Sequence, residues 1–462
     1  MPTTADIERR RNYSYPAIHS WTDDLPVCRK SGVGFATNQV YREDGHRQEK
    51  HPFEDTSFHS GSKEDGGTTT YLYGVFDGHY GIEAAQFAVQ GLAAELLLGQ
   101  LSGKIRDQDI KEALSQAFVA VEKNYLESLD DLVAKRTSLQ FQIPDGITSY
   151  EAYQNYPHIV DQINSLNGQL SCGTTAVVAL IVGTRLYVAN VGDSRALLCK
   201  TDKHGVHKVV QVSADHNLTN EDEILRLYNL GLDFTPASRK SCTLGNQENT
   251  RCLGNYLVKG AYREFEELAP ASEEPIIAEP EIQGGIELDE SCCFLLLMSA
   301  GLYKSLEEAT DSTQVNKDIV QMAIAEFREQ KTLTGVAQAV VDRVVRLHTD
   351  KLMSSVLTNE GQAFREDMTL LVRRFNISVN TTPTQPNILG PDTLQGILTE
   401  FYLSKWVTGQ TVFESNSTSS GGLSSQAPPP PVEIPPYVDF SEFYRNIAKA
   451  RKDGILPPEL ED

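Results

Sequence analysis

Between residues 108 and 136, Ile110, Leu114, Phe118, Val121, Tyr125 and Leu129 recur at spacings of four and three. That is the one-sided stripe of an amphipathic helix lying on a core. Shorter apolar runs carry a different signal. YLYGVF (71–76), broken by Asp77-Gly78, TTAVVALIV (174–182), RLYVANVGDSRALLCK (185–200), FLLLMS (294–299) and DMTLLVRRF (367–375) are rich in β-branched, aromatic and leucine residues and predict strands. Gly183-Thr184 turns one of them back on the next as an antiparallel hairpin. Segments 82–101, 313–328 and 334–349 predict further helices. Another begins near Thr219 or Asn220 and stops at Gly231. Residues 137–169 are polar and aromatic with little periodicity, and are expected to be a surface excursion. Strand runs interspersed with paired helices predict an α+β domain over 21–376, two antiparallel sheets packed together with helices outside.

Composition narrows the class. The chain has 462 residues and a formal net charge of −22, which repels phosphate backbones and argues against a nucleic-acid partner. Its cysteines, at 28, 172, 199, 242, 252, 292 and 293, are odd in number and form no C-x-x-C pair, so a disulfide framework is not expected. Cys292 and Cys293, in SCCFLLLM, read as small buried hydrophobes. The N-terminal residues 1–20 lack the apolar stretch of a secretory signal and are expected to be flexible. No run reaches the roughly 20 apolar residues of a transmembrane helix. A cytoplasmic location follows as the expectation.

Chemistry enters with a set of motifs in fixed order: VFDGHYG (75–81), CGTTAVVAL (172–180), VGDSRALL (191–198), ADH (214–216) ahead of a glutamate-rich helix, AEPEI (278–282), MSAGLYKSL (298–306) and EDMTLLV (366–372). In this order they resemble the metal-dependent serine/threonine protein phosphatases of type 2C. The resemblance implies a four-layer α-β-β-α sandwich with a site at one edge of the central sheets. It also implies two divalent ions bridged by carboxylate, which would activate water and clamp phosphate oxygens. By motif, Asp77 is the expected bridging ligand, Gly78 supplies a carbonyl ligand, and His79 matches the family's proton donor.

Other positions depart from the family. Ala300 stands where the resemblance implies an aspartate ligand, and a methyl group coordinates nothing. The family places an arginine a few residues ahead of a Glu-Asp pair. FATNQVYRED offers Glu43 and Asp44 as that pair, with Gln39 in the arginine slot and Arg42 nearby. Glu366-Asp367 replaces an Asp-Asn pair, and Asn255 replaces an aspartate. Asp193 and Asp215-His216 read as structural turn residues. His79, Gln39 and Ala300 thus form a vestigial catalytic set. No cofactor is required, and any residual single Mg²⁺ or Mn²⁺ is expected at Glu43, Asp77, Gly78 and Glu366.

Beyond Asn376 the composition changes. Residues 377–436, rich in Ser, Thr and Pro, predict a disordered linker. Residues 437–450 then place Phe440, Phe443, Tyr444 and Ile447 on one helical stripe, with Asp439 and Glu442 as a capping-box-like start, ahead of a flexible tail at 451–462. So short a helix is marginal in water and is expected to order against a partner. A degenerate phosphatase domain followed by PYVDFSEFYR resembles the pseudophosphatase-type activator subunits of TGF-β-activated kinase, a mitogen-activated kinase kinase kinase. The resemblance implies kinase binding through Tyr437, Val438, Phe440, Phe443 and Tyr444, promotion of kinase autophosphorylation, and contacts of the globular part with inhibitor-of-apoptosis and other signalling proteins. The alternative is a weakly active Mg²⁺/Mn²⁺-dependent phosphatase.

Overall fold

The computed structural model describes residues 22, 25–41, 48–63, 69–101, 104, 106–234, 243–356 and 364–375. The chain divides into two units, Met1–Pro386 and Asn387–Asp462, and every described residue lies in the first. The N-terminal 1–20, the linker, the 437–450 helix and the tail lie outside the described residues.

In chain order the strands are β1 (Ser31–Ala36), β2 (Gln39–Val40), β3 (Thr56–Lys63), β4 (Thr69–His79), β5 (Gly173–Val182), β6 (Arg185–Val191), β7 (Arg195–Thr201), β8 (His207–Gln211), β9 (Leu253–Gly254), β10 (Glu281–Glu287), β11 (Cys292–Met298), β12 (Phe364–Arg365) and β13 (Met368–Arg374). The helices are α1 (Glu83–Glu95), α2 (Asp107–Ser128), α3 (Asp130–Gln140), α4 (Ser149–Asn155), α5 (Pro157–Leu170), α6 (Glu221–Asn229), α7 (Ala300–Thr310), α8 (Val315–Glu329) and α9 (Leu333–Val356).

The strands build two large sheets and a two-stranded one, β12-β2. One large sheet is six-stranded, in the order β10-β6-β5-β4-β3 with β9 paired to β5, and the other is five-stranded, β1-β13-β11-β7-β8. Tyr73, Val75, Val177, Ala179 and Val188 of the first sheet pack against Ala196, Leu198, Leu295, Leu297 and Leu371 of the second. On their outer faces, α1 and α2 cover the first sheet through Ala88, Leu92, Leu114 and Phe118, and α7, α8 and α9 cover the second through Leu302, Ile319 and Val340. Strands buried on both sides lose the polar alternation of a half-exposed strand, which is why β11 reads CCFLLLM. The expected α-β-β-α sandwich is present.

Two local expectations are corrected. The helix predicted over 108–136 breaks at Leu129 into α2 and α3, and 137–169 is largely helical. The short α4 and α5 bury only Ala152, Leu166 and Leu170, so no broad apolar stripe announces them. Their start signals are the legible part: Thr148 and Glu151 close a capping box, and Pro157 opens α5.

Candidate functional site

The site forms where β4 ends beside the start of α7. Pairing of β3 with β4 sets Thr56 opposite Phe76, so Glu54 and Asp55, just ahead of β3, enter beside Asp77. Gly78 must be glycine at this crossing, because an added Cβ would come within 2.4 Å of the Glu54 carbonyl oxygen. Asp55 is 2% exposed and neither of its carboxylate oxygens has a hydrogen-bond partner. Burial pushes its pKa up to about 7, against the nearby hydroxyls of Thr369 and Ser299, which stop short of bonding geometry. Burial and then the charges of Asp55 and Asp193 push Asp77 well above the usual carboxylate range. Glu54 is raised as well, burial being the first cause.

Two donors of the protein's own already serve this cleft. The backbone N–H of Ala300, the first residue of α7, donates to Asp77 Oδ2 at 2.9 Å, while its methyl side chain offers nothing to a cation. One turn further on, Lys304 Nζ lies 2.8 Å from Asp193 Oδ2 and 3.5 Å from Glu248 Oε2. Asp193 also accepts from Asn249 Nδ2 at 3.1 Å and from the Tyr303 hydroxyl at 3.3 Å. Burial pushes the Asp193 pKa up, but Lys304 and these donors outweigh it and hold the carboxyl below its ordinary value.

The remaining acidic pair is divided. Asp367 Oδ1 accepts from the backbone N–H and side-chain amide of Asn38 at 2.6 and 2.9 Å, and its Oδ2 accepts from Glu54 N–H at 2.9 Å. It is a buried tie between chain segments. Glu366 is exposed, 3.8 Å from His51 Nε2. Among the described residues, no three carboxylates of the cleft each bring a ligand atom within 4.8 Å of one another. A hard divalent ion wants six or more oxygens, several from the protein when two ions share a site. With Ala300 inert, Asp193 paired to an ammonium and Asp367 saturated, the described residues do not fit a binuclear centre.

His79 is held without charge. Burial, with the Lys259 ammonium adding, lowers its pKa to about 4, against smaller opposing effects of Asp193 and Gln247. Asn255 Nδ2 stands 3.5 Å from His79 Nε2 and bonds Gln247 Oε1 at 2.7 Å and Asn246 Oδ1 at 2.8 Å. An amide at that position offers no charge to hold an imidazolium, so a neutral ring near pH 7 makes a poor proton donor.

Of the sequence-predicted residues, Asp77, Gly78, His79 and Ala300 share this corner, and Glu366 is the exposed neighbour of Asp367. Glu43, with Arg42 and Asp44, lies outside the described residues. Among the described residues, the Glu-Asp pair beside Asp77 is Glu54-Asp55, and Lys50 is the cation ahead of it. Gln39 lies in β2 opposite Arg365, while the Lys50 backbone N–H donates to Asn38 Oδ1 at 2.8 Å and its ammonium stands 4.1 Å from the Phe364 ring centroid. Glu54, Asp55 and Lys304 were missed. Their signal was position: HPFED leads directly into the strand that pairs with YLYGVF, and Lys304 is one helical turn from Ala300.

Asp215 and His216 are structural. Arg195 clamps the Asp215 carboxylate at 2.6–3.1 Å, and His216 is fully buried, 3.7 Å from Glu281.

Residues 90–351 match the model of the protein phosphatase 2C family. The chain is 26% identical over 354 residues to TGF-beta-activated kinase 1 and MAP3K7-binding protein 1 of Caenorhabditis elegans, spanning 76% of this chain and 82% of that protein. It is 29% identical over 280 residues to probable protein phosphatase 2C 2 of Paramecium tetraurelia, spanning 61% of this chain and 78% of that protein. A solved serine-threonine phosphatase 2C from Toxoplasma gondii aligns with a TM-score of 0.46 at 15% identity, covering 76% of this chain and 97% of the other. The family match spans more than half of the 462 residues, and on that ground this chain belongs to the protein phosphatase 2C family.

Proposed function

We propose that this protein is a phosphatase-fold adaptor that binds and activates a mitogen-activated kinase kinase kinase of the TGF-β-activated type, and that it does not turn over phosphoesters at a working rate. The observation that carries the reading is the occupation of the cleft by the chain's own groups: Ala300 N–H on Asp77 and Lys304 Nζ on Asp193. Phosphoester hydrolysis in this fold draws on two ions for a hydroxide nucleophile and for charge neutralisation. A missing clamp forfeits several kcal/mol of transition-state stabilisation, and each 1.4 kcal/mol is about tenfold in rate. Similarity to the nematode kinase-binding protein supports the choice of partner.

In this reading Tyr437, Val438, Phe440, Phe443 and Tyr444 present an aromatic helix face to the kinase domain, and the globular domain meets other signalling proteins, inhibitor-of-apoptosis proteins among them. The cytoplasm is the proposed location. The test compares the full chain with one lacking 437–450 for stimulation of kinase autophosphorylation. Loss of stimulation is expected, and undiminished stimulation by the shortened chain would refute the proposed mechanism.

One observation favours a second reading, a weakly active single-ion phosphatase: the unpartnered carboxylate oxygens of Asp55 beside Asp77. Mn²⁺-dependent hydrolysis of a phosphopeptide, abolished by Asp77→Ala, would establish it in place of the adaptor.

A further inference from the structure

A different set of ligands gathers on the helix-facing side of the second sheet. In β7 the side chains alternate, Ala196 and Leu198 toward the first sheet, Leu197 and Cys199 toward the helices. In β11 a register shift lies between Cys292 and Phe294, and the bulge sets Cys293 on the helix side together with Phe294, while Cys292 remains between the sheets. Cys199 and Cys293 therefore share one face of adjoining strands. On the other flank of β7, Thr201 pairs with His207 of β8, which brings the imidazole to the same place.

Cys199 Sγ, Cys293 Sγ and one ring nitrogen of His207 all lie within 4.8 Å of one another, with Cys199 Sγ 3.9 Å from His207 Nδ1. Both sulfurs are buried free thiols, and His207 is partly exposed. Around a tetrahedral Zn²⁺, with bonds of about 2.3 Å to sulfur and about 2.0 Å to nitrogen, ligand atoms sit roughly 3.5–3.8 Å apart. The set is thus within about an ångström of closing on an ion. The Thr201 hydroxyl now bridges the middle, 3.0 Å from His207 Nδ1 and 2.7 Å from Cys293 Sγ. A rotation about its Cα–Cβ bond takes it out of the way.

We propose that Cys199, Cys293 and His207 form a Zn²⁺ site, independent of the carboxylate cleft, that fastens edge strand β8 to β7 and β11. Two thiols and an imidazole are a donor set for zinc and not for Mg²⁺ or Mn²⁺. Binding releases the thiol protons to solvent as the sulfurs become thiolates, and the fourth position is left to water on the exposed side of His207. The consequence is structural. β8 is a five-residue strand at the sheet's edge whose residues are all exposed or partly exposed, and its ladder to β7 is its hold on the sheet. Burial already pushes the Cys199 thiol up to about 12, so without an ion it is protonated and unreactive near pH 7.

The test is Co²⁺ and Zn²⁺ titration of the full chain. One Co²⁺ per chain with the near-ultraviolet thiolate charge-transfer band and intense tetrahedral d–d bands is expected, displaced by one Zn²⁺, with a rise in melting temperature. His207→Gln, at a partly exposed position that leaves the core intact, should weaken the site at least tenfold and cancel the thermal gain, and Cys293→Ser should remove the charge-transfer band. Asp77→Asn should leave the titration unchanged. Absence of the thiolate band in the wild type, or the same stoichiometry and spectrum in His207→Gln and Cys293→Ser, would overturn the proposal. Neither outcome bears on the kinase-binding reading.

Discussion

Lys304 Nζ stands 2.8 Å from Asp193 Oδ2, so the positive charge in this cleft is part of the chain. Two unit charges about 4 Å apart interact by on the order of 4 kcal/mol at an effective dielectric constant of about 20. The lysine side chain is 46% exposed, and screening cuts its effect on a nearby cation to on the order of 1–2 kcal/mol. Lys304→Ala should therefore raise Mn²⁺ affinity about tenfold. Calorimetric titration of the two proteins reads this directly, and equal affinities would show that the ammonium does not compete with metal.

Ala300→Asp brings a new carboxylate up to Asp77, Asp55 and Glu366 while the backbone N–H at 300 keeps its bond to Asp77. Unpaired like charges in a largely buried setting cost about 1–3 kcal/mol. The variant should melt several degrees lower than the wild type without metal. Millimolar Mn²⁺ should restore most of the loss, because an ion bound to the folded chain stabilises it by mass action. A melting temperature indifferent to Mn²⁺ would show that the carboxylate at 300 does not complete a site.

Asn255→Asp tests why His79 is neutral. Asn255 holds a left-handed backbone, φ +56°, which Asp tolerates about as well as Asn, and its side chain already faces the ring. A carboxylate there opposes both burial and Lys259. The His79 titration midpoint, about 4 in the wild type, should rise by a unit or more, read from the imidazole resonances in an NMR pH series. An unmoved midpoint would mean that burial alone sets the protonation state.

The sandwich was legible because its strands are buried on both faces: FLLLM and AVVALIV tolerate no solvent-facing reading. Helices with a wide stripe, such as α2, were legible for the same reason. The strand break expected at Asp77-Gly78 is absent, since β4 stays paired with β5 through His79. α4 and α5 were not, since exposed Tyr150 and Tyr153 do not reveal which side faces the core. Within the site, Ala300 was readable as a loss because a motif surrounds it. Glu54-Asp55 went unread because YRED and FED are equivalent as strings, and it is the β3–β4 register that brings Glu54-Asp55 to Asp77. Lys304 was invisible for a related reason. Its meaning lies in a contact with Asp193, more than a hundred residues away along the chain.

Glu223 makes a pH dependence measurable far from any metal question. It is 1% exposed and binds Arg251 at 2.5 Å, Arg226 at 2.9 Å and the Thr250 hydroxyl at 2.6 Å. Burial raises its pKa, but these three donors outweigh burial and bring it from the ordinary 4.5 down to about 2. A folded-state pKa below the unfolded value means that the unfolded chain takes up the proton first. The stability this carboxylate contributes is therefore complete above about pH 5 and drains away as pH falls from about 4.5 toward 2, by about 3 kcal/mol in all. Glu223→Gln should be less stable than the wild type at pH 7, since Arg251 and Arg226 lose their counter-charge. The gap between the two proteins, measured by urea unfolding at pH 7, 5, 4 and 3, should hold constant to about pH 5 and then narrow. A gap unchanged down to pH 3 would mean that Glu223 titrates in the folded protein as it does in the unfolded chain.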